Sequence, residues 1–296
     1  MYYKLSDYLK NEYGEKLFKL LLSSGMTCPN RDGTCGSRGC IFCSDSGAGE
    51  FSESRKLSTD EQIESAKKKV KTISGKYIAY FQSFSNTYAS AEHIRALYTP
   101  IVNRDDIAVL SIATRPDCLS DEIISVFREL NKIKPIWIEL GLQTTNEKTA
   151  QYIRRGYPLS VYTNAVKKLK EAQIKVITHI ILGLPEESKD DMIKSAEFAG
   201  SVSDGLKIHM LYITKDSDLG KEYSEKPFHL LNKEEYIDIL CECIRVIPEN
   251  VVIHRLTGDP DSSKLIAPMW AVDKINVLRD IENAFYDRNI IQGENL

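Results

Sequence analysis

Short apolar, β-branched runs alternate along the chain with longer stretches of helical periodicity. The candidate strands are 17–22, 77–81, 107–113, 136–140, 175–181, 205–212 and 251–254. Helix signals lie between them. Ser58 and Glu61 have the spacing of a capping box and predict a helix running to Ile73. Ser120 predicts a cap for a helix whose Ile123, Ile124, Phe127 and Leu130 share one face. Ser160, Ser188, and Asn232 with Glu235, open three more. Sustained strand–helix alternation means βαβ units around a parallel sheet.

A doubly wound sheet and a barrel both fit that pattern, and the placement of polar residues separates them. Thr114-Arg115-Pro116-Asp117, Gly141-Leu142-Gln143 and Gly183-Leu184-Pro185 each follow a strand, and His179 and His209 fall late in theirs. Parallel strands put all these ends on one face, where barrel enzymes build their sites. A doubly wound sheet would gather them at one switch point. The prediction is α/β: a partial (β/α)6-type TIM barrel over residues 1–230, with a short C-terminal α/β extension over 231–296 closing it.

Composition changes this little. The 296 residues are 42% hydrophobic and 27% charged, within the range of one large globular unit. No apolar run is long enough to span a membrane, and the first residues lack the basic-then-apolar pattern of a signal peptide, so a cytoplasmic protein is expected. The net charge of −3 is unevenly distributed. Residues 1–90 and 91–180 each carry 13 Lys and Arg against 10 Asp and Glu, and residues 181–296 carry 13 against 22. The basic part is compatible with a polyanionic partner, but on charge alone an ordinary solvated surface accounts for it better.

Seven cysteines, an odd number, point to a metal site or reactive thiols rather than a disulfide framework. Four fall in one glycine-rich loop, at Cys28, Cys35, Cys40 and Cys43. Four thiolates suit a structural zinc, but only Cys40 and Cys43 have knuckle spacing. Three thiolates suit a [4Fe–4S] cluster with one iron left open, which can chelate S-adenosylmethionine and cleave its sulfonium to a carbon radical. Phe42, a large apolar residue in a polar loop, either shields such a group or anchors the loop beside Ile41.

Cys28 to Cys43, with an aromatic before the last cysteine, resembles the radical S-adenosylmethionine superfamily. The likeness is to its YhcC/YtqA-type members, which are related to the catalytic subunit of Elongator. Tyr80-Phe81-Gln82, Ala113 to Cys118, Glu139 to Gln143, Arg155-Gly156, Lys207 to His209, His254 to Asp259 and Pro268-Met269-Trp270 all look like that family. The resemblance implies Cys28, Cys40 and Cys43 as cluster ligands, with Cys35 a bystander. It implies that Gln82 and Ser83 occupy the place of a glycine-rich segment meeting the methionine amino group. Ala113 stands where many relatives carry a carboxylate, leaving Thr114 and Arg115 for the cofactor. Gln143 and Arg155, twelve apart, match a pair that holds ribose and the methionine carboxylate, and His179 matches a ribose contact.

Lys207 and His209 alternate with Ile208 and so share one strand face, toward adenine or substrate. Glu139 shares a face with Gly141 and Gln143. Inside a barrel it must be paired, and Arg115 is a candidate partner. His254, Arg255 and Asp259 are expected at the substrate. Trp270 is either a stacking platform there or a plug. Cys118 is expected to be a buried small residue, and Cys241-x-Cys243, on a helix, no metal site.

The resemblance implies a radical enzyme acting on the C5 side chain of a tRNA wobble uridine, taking carboxymethylaminomethyluridine to aminomethyluridine. Its partners would be tRNA, an electron donor such as flavodoxin or ferredoxin, and a downstream methyltransferase. The rivals are a small-molecule or protein substrate, and a zinc-stabilised RNA-binding barrel without redox chemistry.

Overall fold

The computed structural model describes residues 1–47, 51–70 and 75–296. Its strands are β1 (Phe18–Leu22), β2 (Tyr77–Phe81), β3 (Ile107–Thr114), β4 (Ile136–Gln143), β5 (Lys175–Leu182), β6 (Gly205–Met210), β7 (Ile213–Thr214), β8 (Val252–Arg255) and β9 (Leu265–Ala267). β1 to β6 and β8 form one sheet in sequential order, with every pair parallel. An order without reversal has no switch point, so the doubly wound alternative falls away. The sheet has seven strands rather than the expected six, because β8 pairs with β6. The run expected to continue to Tyr212 breaks after Met210, and β7 pairs instead with β9, antiparallel.

The sheet curls. In a flat sheet β1 and β4 would lie about 14 Å apart, yet the Lys19 ammonium on β1 reaches the Glu139 carboxylate on β4 at 3.3 Å. Alternation along the strands separates two environments. Leu20, Leu22, Ala79, Phe81, Ile112, Ile138, Leu140, Val176, Ile180 and Ile208 pack outward into the core beneath the helices. The helix Asp121–Leu130 meets them with Ile123, Ile124, Phe127 and Leu130, as its periodicity predicts. Inward-facing Leu17, Ile78, Trp137 and Ile177 form a separate apolar layer with Leu9 of the helix Leu5–Tyr13, closing the bottom of the curl.

The two predicted capping boxes form, at Ser58 with Glu61 and Asn232 with Glu235, and Ser188, expected only to open its helix, forms a third with Asp191. Ser120 accepts from the Ile123 amide. The first helix spans Thr59–Lys69, and the expected end at Ile73 lies outside the described residues. Ser160 does not cap its helix, which runs Leu159–Glu171 after Pro158. There the Leu159 amide donates to Glu147 Oε1 at 2.5 Å, so a distant carboxylate serves as the cap.

Glu187, just past the Gly183-Leu184-Pro185 turn, has a buried Oε2 without a hydrogen-bond partner among the described residues. Burial lifts its carboxyl to about 7. A folded value above the unfolded one contributes stability below about pH 4.5 and loses it as pH rises through 7. Glu187→Gln is therefore expected to stabilise the chain by about 1–2 kcal/mol at pH 8, allowing for partial solvent access. The gain should vanish at pH 5. Thermal melts at the two pH values check this, and equal shifts would refute it.

Candidate active site

The cysteine loop leaves β1 and lies over the carboxyl ends of the strands. The Arg31 amide bonds to the Cys28 carbonyl (2.8 Å) and the Cys43 amide to the Cys40 carbonyl (3.0 Å), so the three cysteines sit at two tight turns. Gly36 is required here, since a Cβ would lie 2.3 Å from Asn30 Oδ1. That side chain donates to the Arg154 carbonyl (2.6 Å) and approaches Cys40 Sγ (3.6 Å). Arg31 donates to the Cys43 and Ser44 carbonyls at 3.3 and 2.5 Å. Backbone bonds from Ile41 to Ile153 (3.1 Å) and from Leu219 to Ile41 (2.8 Å) fasten the loop to the barrel. Ile41 is buried with Ile153, Ile181 and Leu211. Phe42 packs half-buried beside them and also lines the cavity below, so it both anchors and covers.

Burial, then the neighbouring Cys40 sulfur, push the Cys43 thiol up to about 12, and burial pushes Cys40 up as well. Gathered thiols in such a setting ionise only if a cation sits among them, which fits a metal cluster. Among the described residues no three His, Cys, Asp or Glu side chains come close enough to hold one metal ion. Three cysteines held on two turns, with an exposed Cys35 set apart, suit a cluster that takes three protein sulfurs. Cys35 is exposed, with Sγ 4.0 Å from Asp117 Oδ2. Cys118, Cys241 and Cys243 are buried.

Beneath the loop lies a cavity of about 450 Å³, in the range of small-ligand sites. It is lined by Phe42, Cys43, Gln82, Ser83, Thr114, Arg115, Glu139, Gln143, His179, Lys207, His209, His254, Arg255 and Asp259. Fourteen of the residues singled out in the sequence thus share one cavity wall, because inward positions on consecutive parallel strands end on one face. Ser83, Phe84 and Gln143 have φ of 72°, 56° and 68°. Left-handed backbone is costly for residues with a Cβ and concentrates at functional sites. Where the resemblance implied glycines, the glycine-like conformation is present without them. Gly47, at φ 61°, lets the Phe84 ring approach, since a Cβ there would lie 2.6 Å from it.

The cavity floor is one polar layer centred on Glu139, which is 1% exposed. Its carboxylate takes the Lys207 ammonium, Lys19 Nζ (3.3 Å), His179 Nε2 (2.8 Å) and Ser111 Oγ (2.7 Å). Lys207 also donates to Tyr80 Oη at 2.9 Å and lies over that ring. Burial alone would raise the Glu139 carboxyl, but Lys19 and Lys207 hold it well below the usual range. Burial brings His179 down to about 4, and His209 and His254 well below an ordinary histidine. All three are neutral at pH 7, and His209 Nε2 and His254 Nδ1 are buried without a partner among the described residues. Neutral imidazoles with unused nitrogens suit ribose hydroxyls or a base edge.

Three expectations need correction. Glu139 pairs with lysines rather than Arg115, whose guanidinium is held by Asp117 at 2.6 and 2.9 Å and by the Arg155 carbonyl. Arg155 is 1% exposed and does not line the cavity. It donates to the carbonyls of Tyr157, Leu142 and Thr144 and to Glu147, bracing the end of β4 from behind. Trp270 is also off the cavity: it stacks on Tyr236 (5.6 Å) and donates to the Leu231 carbonyl, the plug rather than the platform. Lys19, Tyr80 and Ser111 were missed. Lys19 is the one charged residue in β1, which was a usable signal.

A model of the radical SAM superfamily matches residues 32–199, and one of the radical SAM C-terminal domain matches 203–287. YtqA of Bacillus subtilis (strain 168) is 39% identical over 296 residues, covering 99% of this chain and 92% of that protein. YhcC of Escherichia coli (strain K12) is 32% identical over 291 residues, covering 97% and 93%. A tRNA uridine(34) acetyltransferase of Methanocaldococcus jannaschii is 24% identical over 161 residues, covering 53% of this chain and 29% of that protein. The solved structure of Methanocaldococcus infernus Elp3 superposes with a TM-score of 0.68 at 16% identity, covering 93% of this chain and 64% of that one. No described helix is long and apolar enough to cross a membrane. With the cysteine loop set over a curled parallel sheet, and with these matches along nearly its whole length, the chain belongs to the radical SAM superfamily, in the YhcC/YtqA family related to Elp3.

Proposed function

We propose that this chain holds a [4Fe–4S] cluster on Cys28, Cys40 and Cys43 and cleaves S-adenosylmethionine to modify a tRNA wobble uridine at its C5 side chain. The proposed conversion is carboxymethylaminomethyluridine to aminomethyluridine. When bound, the cluster supplies the electron that breaks the cofactor's sulfonium bond and yields a 5′-deoxyadenosyl radical. The observation that carries the reading is the cysteine loop stapled over a polar-floored cavity whose wall draws on all seven strands of the curled sheet.

The chain's own residues have distinct duties. Gln82, Ser83, Thr114, Gln143, His179, Lys207 and His209 bind the cofactor, and Arg115, fixed by Asp117, sets the wall beside it. Arg155 keeps the left-handed turn at Gln143 in place through the carbonyls on either side. Glu139, His254, Arg255 and Asp259 face the substrate. Phe42 and the loop exclude water and oxygen, so that a C–H bond of the substrate meets the radical before anything else does. Support for tRNA comes from the partial match to a tRNA uridine(34) acetyltransferase. Flavodoxin or ferredoxin would supply electrons in the cytoplasm, and a methyltransferase would act downstream on the aminomethyl product.

Nucleosides from tRNA of cells with and without the gene, compared by mass, test the substrate. Loss of the gene is expected to raise carboxymethylaminomethyluridine at the expense of aminomethyluridine and its methylated product. Unchanged wobble uridines would sink the tRNA reading and leave the radical chemistry to be tested separately.

A further inference from the structure

Among the described residues, the cavity floor holds more cations than anions: Lys19, Lys207 and Arg255 face it, against the single carboxylate of Glu139. Arg115 and Asp259 also line the wall, but each is matched from behind, Arg115 by Asp117 (2.6 Å) and Asp259 by Lys274 (2.7 Å). The excess is two positive charges, and it remains one if Lys207 gives up its proton.

Arg255, at the end of β8, differs from the other cations. Its only ion pair among the described residues is with Asp259 Oδ2 at 3.9 Å, an oxygen that Lys274 already holds. Its side chain is 34% exposed and lines the cavity. An arginine presents a planar fork of donors that matches a carboxylate in two parallel bonds. A partly desolvated guanidinium without such a partner, among surplus lysines, is costly unless an anion arrives.

We propose that Arg255, backed by Lys19 and Lys207, is the receptor for a carboxylate on the substrate. This rests on the reading that a carboxymethyl-bearing side chain enters this cavity, and it assigns that group to particular residues. The consequence is directional. A substrate carrying a carboxylate is drawn in, whereas a product that has lost it presents an ammonium to the same cations and is expelled.

Binding to the full-length chain, purified without oxygen, tests this with the free nucleoside carboxymethylaminomethyluridine, its methyl ester, N-methylglycine and inorganic phosphate as probes. The acid is expected to bind at least about tenfold tighter than the ester, as befits one charge-assisted pair. Arg255→Met should erase that difference and Arg255→Lys should restore part of it. Equal binding of acid and ester overturns the proposal. So does an equal loss of S-adenosylmethionine affinity in Arg255→Met, since the cation would then serve the cofactor's own carboxylate. Phosphate competing more strongly than N-methylglycine overturns it in favour of a phosphate site. Arg255-dependent binding of N-methylglycine, with neither nucleoside bound, upholds the carboxylate receptor and removes the uridine.

Discussion

A Cys43→Ala chain, reconstituted with iron and sulfide without oxygen, is expected to lose the brown iron–sulfur chromophore. It should form 5′-deoxyadenosine at least about 1000-fold more slowly than the parent, about 4 kcal/mol of lost transition-state stabilisation. The loop leaves no substitute ligand. The Cys43 amide is tied to the Cys40 carbonyl and its own carbonyl to Arg31, so its sulfur is fixed by backbone on both sides. Cys35 is exposed and lies by Asp117, and Cys118 is buried at the end of β3. Cys35→Ala is accordingly expected to keep its iron content and its rate within about twofold. Iron and sulfide analysis with the rate of deoxyadenosine release reads both variants. Bleaching in Cys35→Ala, or a full chromophore in Cys43→Ala, would require the ligand set to be redrawn. Unchanged thermal melts in the absence of iron would confirm that neither change simply unfolds the loop.

The elements were legible because their signals are local. Strand positions follow from alternation within a few residues, and two of the capping boxes from pairs three apart. Lys207 and His209 on one face of β6 needed only the two-residue period, and both line the cavity. What could not be read depends on the curl of the sheet. Nothing along the chain says that Lys19 on β1 reaches Glu139 on β4, so Arg115 stood as an equally good partner. Arg155 kept the family spacing from Gln143, but Arg154 and Gly156 on either side have positive φ and turn its guanidinium behind the strand. Trp270 was ambiguous because a 3-10 turn after Pro268 gives no periodicity from which to choose a face. In each case the identity of the residue was informative and its direction was not.

The buried polar layer carries the largest stability effect. Glu139→Met removes the only carboxylate paired with Lys19, Lys207 and His179 among the described residues, leaving one buried and one partly buried ammonium without a counter-charge. Breaking a buried ion pair from one side costs about 3–5 kcal/mol, a large fraction of what holds a domain together. Glu139→Gln keeps the shape and the Ser111 bond but not the charge, and should fall between. Adding Lys207→Met to Glu139→Met removes a stranded cation and should recover part of the loss, a coupling that additive behaviour would disprove. Acid titration of the parent gives a second reading of the layer. The Glu139 carboxyl is raised by burial but held well below its usual range by Lys19 and Lys207. Its contribution is therefore complete above about pH 4.5 and is lost only as pH falls through the lower folded value. His179, brought down to about 4 by burial and then by Lys207, begins to cost stability sooner, as pH falls from 6.5 towards 4. Melting temperature should thus start to decline near pH 6.5 in the parent. In a His179→Gln chain that first decline should become shallower, the remainder coming from His209 and His254, which burial also depresses, while the later one at Glu139 remains. A parent whose stability is flat down to pH 4 would mean that the three buried histidines take up their protons in the fold as readily as in the open chain, and the neutral imidazoles derived for this cavity would be wrong.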